Sequence, residues 1–196
     1  MADERVGKTT EDEMISEIKF TNLARVLTNY AIEVRNNYQD ALVRSDRIAS
    51  GKLLNSVEYI TEFNGNEYQV FLQLEDYWKF VEAGVNGTER SQGSPFSFKS
   101  KRVNVSAILD WIRVKPILPR PKNGKLPTPQ SLAYALATNI AKFGIEGSHD
   151  LEETLEQVNA RYEKEIMDAI DADLAFAIDA ELQFLVKPFS EHNQYV

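Results

Sequence analysis

Few residues in this chain have the type and spacing that chemistry requires. Its two histidines, His149 and His192, stand at no metal-ligand spacing from another plausible ligand, and there is no cysteine to supply a thiolate or a disulfide. His149 precedes a helix start beside Asp150, where a solvated role is expected. No glycine-rich phosphate loop is present: Gly84-Val85-Asn86-Gly87 lacks the Lys-Ser/Thr ending, and no Gly-x-Ser-x-Gly elbow occurs. Carboxylate pairs do occur. Glu152-Glu153 and Asp171/Asp173 fall on an acidic helix and read as a solvated face. Asp76 and Glu82 flank an aromatic patch of Tyr77, Trp78 and Phe80. Two carboxylates around aromatic rings suit a sugar site, but no second carboxylate is evidently placed opposite Glu82. The three aromatics fit a core, a ligand platform or the anchors of an interface.

The elements that carry these residues follow from periodicity and punctuation. The chain has 196 residues and 43% hydrophobic content, enough for one domain with extensions. Residues 1–12 are polar and read as a flexible N-terminus. Apolar residues at steps of three and four predict a long amphipathic helix from Glu13 to Arg44. After Ser50-Gly51, Leu53, Asn55, Val57, Tyr59, Thr61 and Phe63 alternate as one face of a strand. Asn64-Gly65 fits a tight hairpin turn, and Tyr68, Val70, Leu72 and Leu74 alternate on the return. A short helix from Tyr77 to Ala83, capped by Asp76 and ended by Gly84, or a third strand, comes next. Turn signals predict a loop over 85–102. Asn104 or Ser106 opens a helix that stops at Lys115-Pro116.

Five prolines in 116–129 mark an extended basic arm, and Thr128-Pro129 opens a further helix ended by Gly144. A last helix is expected from Asp150 to Leu185 with the stripe Leu151, Leu155, Val158, Tyr162, Ile166, Ile170, Leu174, Ile178 and Leu182. Residues 188–196 read as an irregular tail. The fold expected is α+β: a small antiparallel sheet (a central hairpin at 53–74) packed against a long N-terminal helix and C-terminal helices. Residues 13–115 form the α+β core and 130–187 a helical part packing on it.

Charge is segregated. The net charge of −8 argues against a general nucleic-acid binder. Yet 99–125 carries Lys99, Lys101, Arg102, Arg113, Lys115, Arg120, Lys122 and Lys125 against the single acid Asp110, whereas 146–181 is acidic at almost every turn. Opposite segments can pair within a subunit or between copies. The N-terminus lacks a signal-peptide pattern and no apolar run approaches the ~18 residues of a membrane span, which predicts a soluble, cytoplasmic protein with no membrane partner.

The order of short motifs resembles the tail-completion, or neck, proteins of tailed bacteriophages. Ser50-Gly51-Lys52-Leu53-Leu54-Asn55-Ser56 is similar to that family's T/S-G-x-L-x-x-S entry to the first strand. Tyr77-Trp78-Lys79-Phe80-Val81-Glu82-Ala83-Gly84 is similar to its Y-x-x-Y/F-V-E-x-G segment, and Pro95-Phe96 to the Pro-Phe element after a loop. Trp111-Ile112 and the passage from Ala137 to Ile145 resemble a further W-I/V and A-x-x-I-x-x-x-G-I pattern. The arm at 116–129 and the long acidic helix exceed small members of the family, and Glu146-Gly147-Ser148 stands where a second Pro-Phe belongs.

The resemblance implies an α+β fold, no catalysis, no cofactor, and a ring of identical subunits in the virion neck, assembled in the host cytoplasm. It implies contacts with copies of itself, with the portal or adaptor, and with tail-tube, hub or other neck proteins. DNA would meet it only in passage. Candidate interface residues are Tyr77, Trp78, Phe80, Arg90, Pro95, Phe96, Phe98, Lys99, Lys101, Arg102, Arg120, Lys122 and Lys125; Glu152, Glu153 and Glu156 are candidates for a DNA-channel face. The competing readings are a monomeric adaptor and a carbohydrate-active enzyme using Trp78 and Glu82.

Overall fold

The computed structural model describes residues 20–63, 67–99, 103–115, 117, 119 and 126–191, with side chains as far as 183. The expected N-terminal segment 1–12, the start of the helix expected from Glu13, the Asn64-Gly65 turn and most of the Pro-rich arm lie outside the described residues; the described helix begins at Thr21. The architecture is α+β: two long helices form the core, and a hairpin packs on them.

Helix α1 (Thr21–Arg44) buries Val26, Ala31, Val34, Tyr38, Ala41 and Leu42 along one stripe. Helix α6 (Asp150–Glu191) lies antiparallel beside it. Three side-chain contacts fix the register. Asn22 donates to Asp173, Tyr162 donates to Glu33 at 3.1 Å, and Ser45 donates to Asp150 at 2.7 Å. Eleven residues forward along α1 match eleven back along α6, and twelve more match twelve, so the pair runs without slippage for about 34 Å. Between them lie two apolar clusters, one of Val26, Val34, Val158, Tyr162 and Ala169, the other of Tyr38, Leu42, Leu53, Val57 and Leu151.

The start of α1 has no cap of its own, because Phe20 occupies the N-cap position. Asp173 supplies one from α6. Its carboxylate accepts from the backbone N–H of Asn22 at 3.1 Å and of Leu23 at 2.9 Å, and from Asn22 Nδ2 at 2.8 Å. Burial raises the pKa of this carboxyl, but these donors favour the anion more, and the pKa lies below the ordinary aspartate value.

The sheet is a hairpin, β1 (Glu58–Phe63) and β2 (Tyr68–Gln73), in the register Tyr59↔Leu72, Thr61↔Val70 and Phe63↔Tyr68. A two-stranded sheet is marginal alone. This one packs Leu72 into both clusters, and Tyr68 Oη donates to the Phe20 carbonyl at 3.0 Å. Its first strand begins at Glu58, not at Leu53. Residues Lys52–Ser56 form a short helix α2 instead, entered through Gly51 at φ +76°. The spacing explains the difference: Leu53 and Val57 are both buried, and residues four apart share a face of a helical turn as readily as they share a strand face.

After the hairpin come α3 (Trp78–Ala83), the short strand β3 (Val85–Asn86), and α4 (Val105–Val114). Then follow α5 (Pro129–Phe143) and β4 (Gly144–Ile145), which pairs antiparallel with β3. The 85–102 segment therefore opens as a strand rather than a loop. Asn104 caps α4 and Thr128 caps α5, each through its side-chain oxygen. The fully buried Ala133, Ala137 and Ala141 give α5 a flat face suited to close packing with α4. The turn before α3 resolves as helical, but Asp76 does not cap it: Tyr77 holds the N-cap position with no side-chain bond. Helix α6 runs through Glu191, past the Pro188 where the tail was expected to begin; a helix can absorb one proline at the loss of a hydrogen bond.

Replacing Asp173 by Ala should lower the unfolding free energy by about 2 kcal/mol, the scale of a charged cap. A depressed folded pKa gives stability present above the unfolded value near ~3.9 and lost as pH falls through the folded value. Denaturant melts of both proteins should therefore differ by a constant amount above about pH 5 and converge as the pH falls from there through the folded value. A gap that widens on acidification would contradict this role.

Candidate functional site

The aromatic segment divides between inside and outside. Trp78 and Val81 pack against the cluster of Tyr38, Leu42 and Leu53. Tyr77 and Phe80 stay 39% and 41% exposed. Phe80 meets Phe96 edge-on with ring centroids 4.6 Å apart, and Lys79 Nζ lies 5.4 Å from the Phe80 ring. Of the three rings, Trp78 belongs to the core and Tyr77 and Phe80 lie at the surface.

Glu82 has a structural task. Its carboxylate accepts from Leu151 N at 3.0 and 3.1 Å and from Glu152 N at 2.9 Å, capping α6 from across the chain. The carbonyls of Val81 and Glu82 accept from Ser148 N and His149 N. The anion sits where the first-turn N–H groups and the helix dipole favour it. Both oxygens are engaged, so Glu82 is not poised as the acid or base of a sugar site beside Trp78. Beneath it, Tyr38 is fully buried, and burial, with the charges of Glu82 and Asp150, pushes its pKa far above the usual tyrosine value. Gly84 lets this contact form. Its φ is +70°, and a Cβ there would meet the backbone of Ile145, Glu146 and Gly147.

The loop after β3 folds around Asn86. The Asn86 Oδ1 accepts from Gln92 N at 2.6 Å and Ser94 N at 3.2 Å, while Nδ2 donates to the Ser94 carbonyl and to Ser97 Oγ. Asn86 N donates to the Phe96 carbonyl, and Phe98 N to that of Asn86. The loop then serves the C-terminus of α5. Thr88 N and Glu89 N donate to the carbonyls of Ala141 and Lys142, and Gln92 Nε2 donates to that of Phe143 at 2.7 Å. These are carbonyls a helix end leaves without internal partners. The sequence offered Asn86-Gly87 only as a turn; nothing in the spacing marked the asparagine side chain as the hub.

Of the basic and aromatic interface candidates, Arg90, Pro95 and Lys99 are exposed on this anchored loop, and Phe96 and Phe98 are half-buried. Lys101, Arg102, Arg120, Lys122 and Lys125 lie outside the described residues. Glu152, Glu153 and Glu156 are exposed on α6. Glu152 approaches His149 Nδ1 at 3.2 Å, and Glu153 lines an open groove of about 720 Å³ with Asn37, Asp40 and Asp150. Among the described residues, no group of three or more His, Asp or Glu is placed to hold a metal, and no helix is long and apolar enough to cross a membrane.

Exposed apolar side chains lie elsewhere. Ile60 and Phe71 pair on the outer face of the hairpin, 42% and 45% exposed. Leu174, Ile178 and Leu182, expected in the core stripe of α6, are 38%, 59% and 54% exposed. Their steps of four are the reason. Four residues turn a helix by about 40° more than one full turn, so a stripe of strict fours winds off the face that α1 covers.

Gly84→Ala should cost about 3 kcal/mol or more, because backbone strain and a backbone clash act together. Gly93, with φ +76° and open space around it, is the internal control, and Gly93→Ala should cost only about 1–2 kcal/mol. Equal losses in thermal or denaturant melts would show that the α3–α6 junction is not the tight contact described.

No protein-family model, curated protein or solved structure matches the chain.

Proposed function

We propose that this chain is a structural virion protein of a tailed phage, a homo-oligomeric connector ring in the neck that joins the portal or head to the tail. The observation that carries this reading is how the aromatic segment and its loop are used. Trp78 fills the core, Glu82 caps α6, Gly84 permits the α3–α6 junction, and Asn86 organises the loop that caps α5. Trp78, Glu82 and Gly84 of the segment that resembles neck proteins therefore have structural uses, while Tyr77 and Phe80 stay at the surface. Exposed apolar side chains also sit on the outer hairpin face (Ile60, Phe71) and on the far half of α6 (Phe176, Ile178, Leu182), which suits a subunit that binds neighbours.

Copies of the chain, the portal or adaptor, and tail-tube or hub proteins are the partners. DNA meets the ring only as it passes through the lumen. The exposed acids Glu152, Glu153 and Glu156 suit a channel face, since fixed negative charge keeps phosphates from adhering. Assembly takes place in the bacterial cytoplasm. The alternative of a sugar-cleaving site at Trp78 and Glu82 is weakened by the engagement of both Glu82 oxygens.

Deleting the gene from the genome that carries it should yield, by electron microscopy of lysates, filled heads and free tails that do not join. Complementation in trans should restore joined particles. Normal infectious particles from the deletion would overturn the reading.

A further inference from the structure

The loop that serves α5 is organised by an Asn-Gly pair, Asn86-Gly87. Such a pair can modify itself. The glycine backbone nitrogen attacks the asparagine Cγ, a new N–Cγ bond forms and the Cγ–Nδ2 bond breaks. Ammonia leaves, carrying the proton of the glycine N–H, and a cyclic imide remains. Water then opens the imide at either carbonyl. One opening gives aspartate; the other gives isoaspartate, with the chain rerouted through the side-chain carbon. Glycine favours the attack, because it has no Cβ to hinder the approach and its backbone reaches the geometry of the ring.

The fold requires both residues of the pair. At position 86 it needs an amide. Oδ1 accepts from Gln92 N, Ser94 N and Ser91 Oγ, while Nδ2 donates to the Ser94 carbonyl and to Ser97 Oγ. A carboxylate could do only the accepting. At position 87 it needs glycine, since a Cβ there would strike the backbone of Lys142 and Gly144 at the end of α5.

The same contacts restrain the reaction at each atom that takes part. Gly87 N, the nucleophile, donates to the Arg90 carbonyl at 2.8 Å. The Asn86 amide, the electrophile, is held at both ends and half-buried. Asn86 is extended in β3, opposite Gly144. Bringing Gly87 N onto Cγ means turning the Asn86 carbonyl, which accepts from Phe98 N at 3.0 Å.

We propose that Asn86-Gly87 is a latent self-modification site, shut while the loop is folded, whose conversion to aspartate or isoaspartate releases the end of α5. Aspartate turns a carboxylate oxygen toward the Ser94 carbonyl, where an N–H stood, and leaves that acceptor unpaired. Isoaspartate adds a carbon to the backbone within β3. Either change loosens the loop whose Thr88, Glu89 and Gln92 donors hold the carbonyls of Ala141, Lys142 and Phe143. Loss of ammonia makes the change run one way. The site is independent of the neck reading.

Trypsin cuts after Lys79 and Arg90, and the peptide Phe80–Arg90 holds Asn86 as its only side-chain amide. Asn64-Gly65 and Asn123-Gly124 are further pairs of the same kind, so conversion is read on this peptide by mass spectrometry rather than on the whole chain. The full chain is incubated in mildly alkaline buffer with and without urea. Conversion in the folded chain should be slower by about tenfold or more, because it waits for the loop to open. Equal rates with and without urea overturn the proposal. The product is then examined as Asn86→Asp, and as aged wild type separated by its added charge, which needs no substitution to fold. In both, the Thr88 and Glu89 amides should exchange about tenfold faster than in unaged protein, while those of Val34 and Val158 stay slow. Unchanged exchange at Thr88 and Glu89 in the aged protein overturns the release of α5.

Discussion

Two carboxylates set the register on which the rest of the molecule depends. Asp173 caps α1 from within α6, and Glu82 caps α6 from the end of α3. A helix start leaves its first N–H groups unsatisfied, and the usual remedy is a small polar residue at the N-cap. Here Phe20 occupies that position before α1. Before α6, His149 sits at φ +55° with its side chain on Glu152. Both helices borrow an anion instead. Each bond spans a large sequence separation, so the caps form only when the two helices are already side by side in the right register. A shift of one residue would move Asp173 off the Leu23 amide and Ser45 off Asp150 together.

The same arrangement explains why the aromatic segment is dense in distinctive residues. For Glu82 to reach the first turn of α6, the backbone after it must turn away at once. Gly84 makes that turn against the backbone of Ile145 to Gly147. β3 then pairs with β4, and the Asn86 loop can reach the end of α5. Catalytic carboxylates need a free oxygen aimed at a substrate; those of Glu82 are aimed at backbone amides. Large apolar side chains remain exposed on the outer hairpin and the far half of α6, surfaces open to neighbours in the ring proposed above.

Much of the fold was legible where the relevant physics is local. The α1 stripe from Leu23 onward, the alternation of Tyr59 to Phe63 against Tyr68 to Leu72, the Thr128 cap and the Gly144 stop are all set within a few residues, and the structure has them; of the two candidates for the start of α4, Asn104 is the cap. The α2 turn was misread because Leu53 and Val57 satisfy two periods at once. The α6 stripe was followed too far, since residues four apart look like one face over two turns and diverge over six. The roles of Asp173, Glu82 and Asn86 were not legible. Their partners are remote in sequence or are backbone groups, which carry no sequence signal. The division of the aromatic patch into a core Trp78 and an exposed Tyr77 and Phe80 likewise waited on the packing of α3.

If borrowed carboxylates hold the two long helices in register, native-state amide hydrogen exchange at Leu23, Leu151 and Glu152 is slow. First-turn amides commonly exchange through local fraying at little free-energy cost. Held by Asp173 and Glu82, these three should exchange only on the slow scale of the buried core amides of Val34 and Val158. Exchange at the rate of exposed loop amides would show that the two carboxylates do not hold these helix starts.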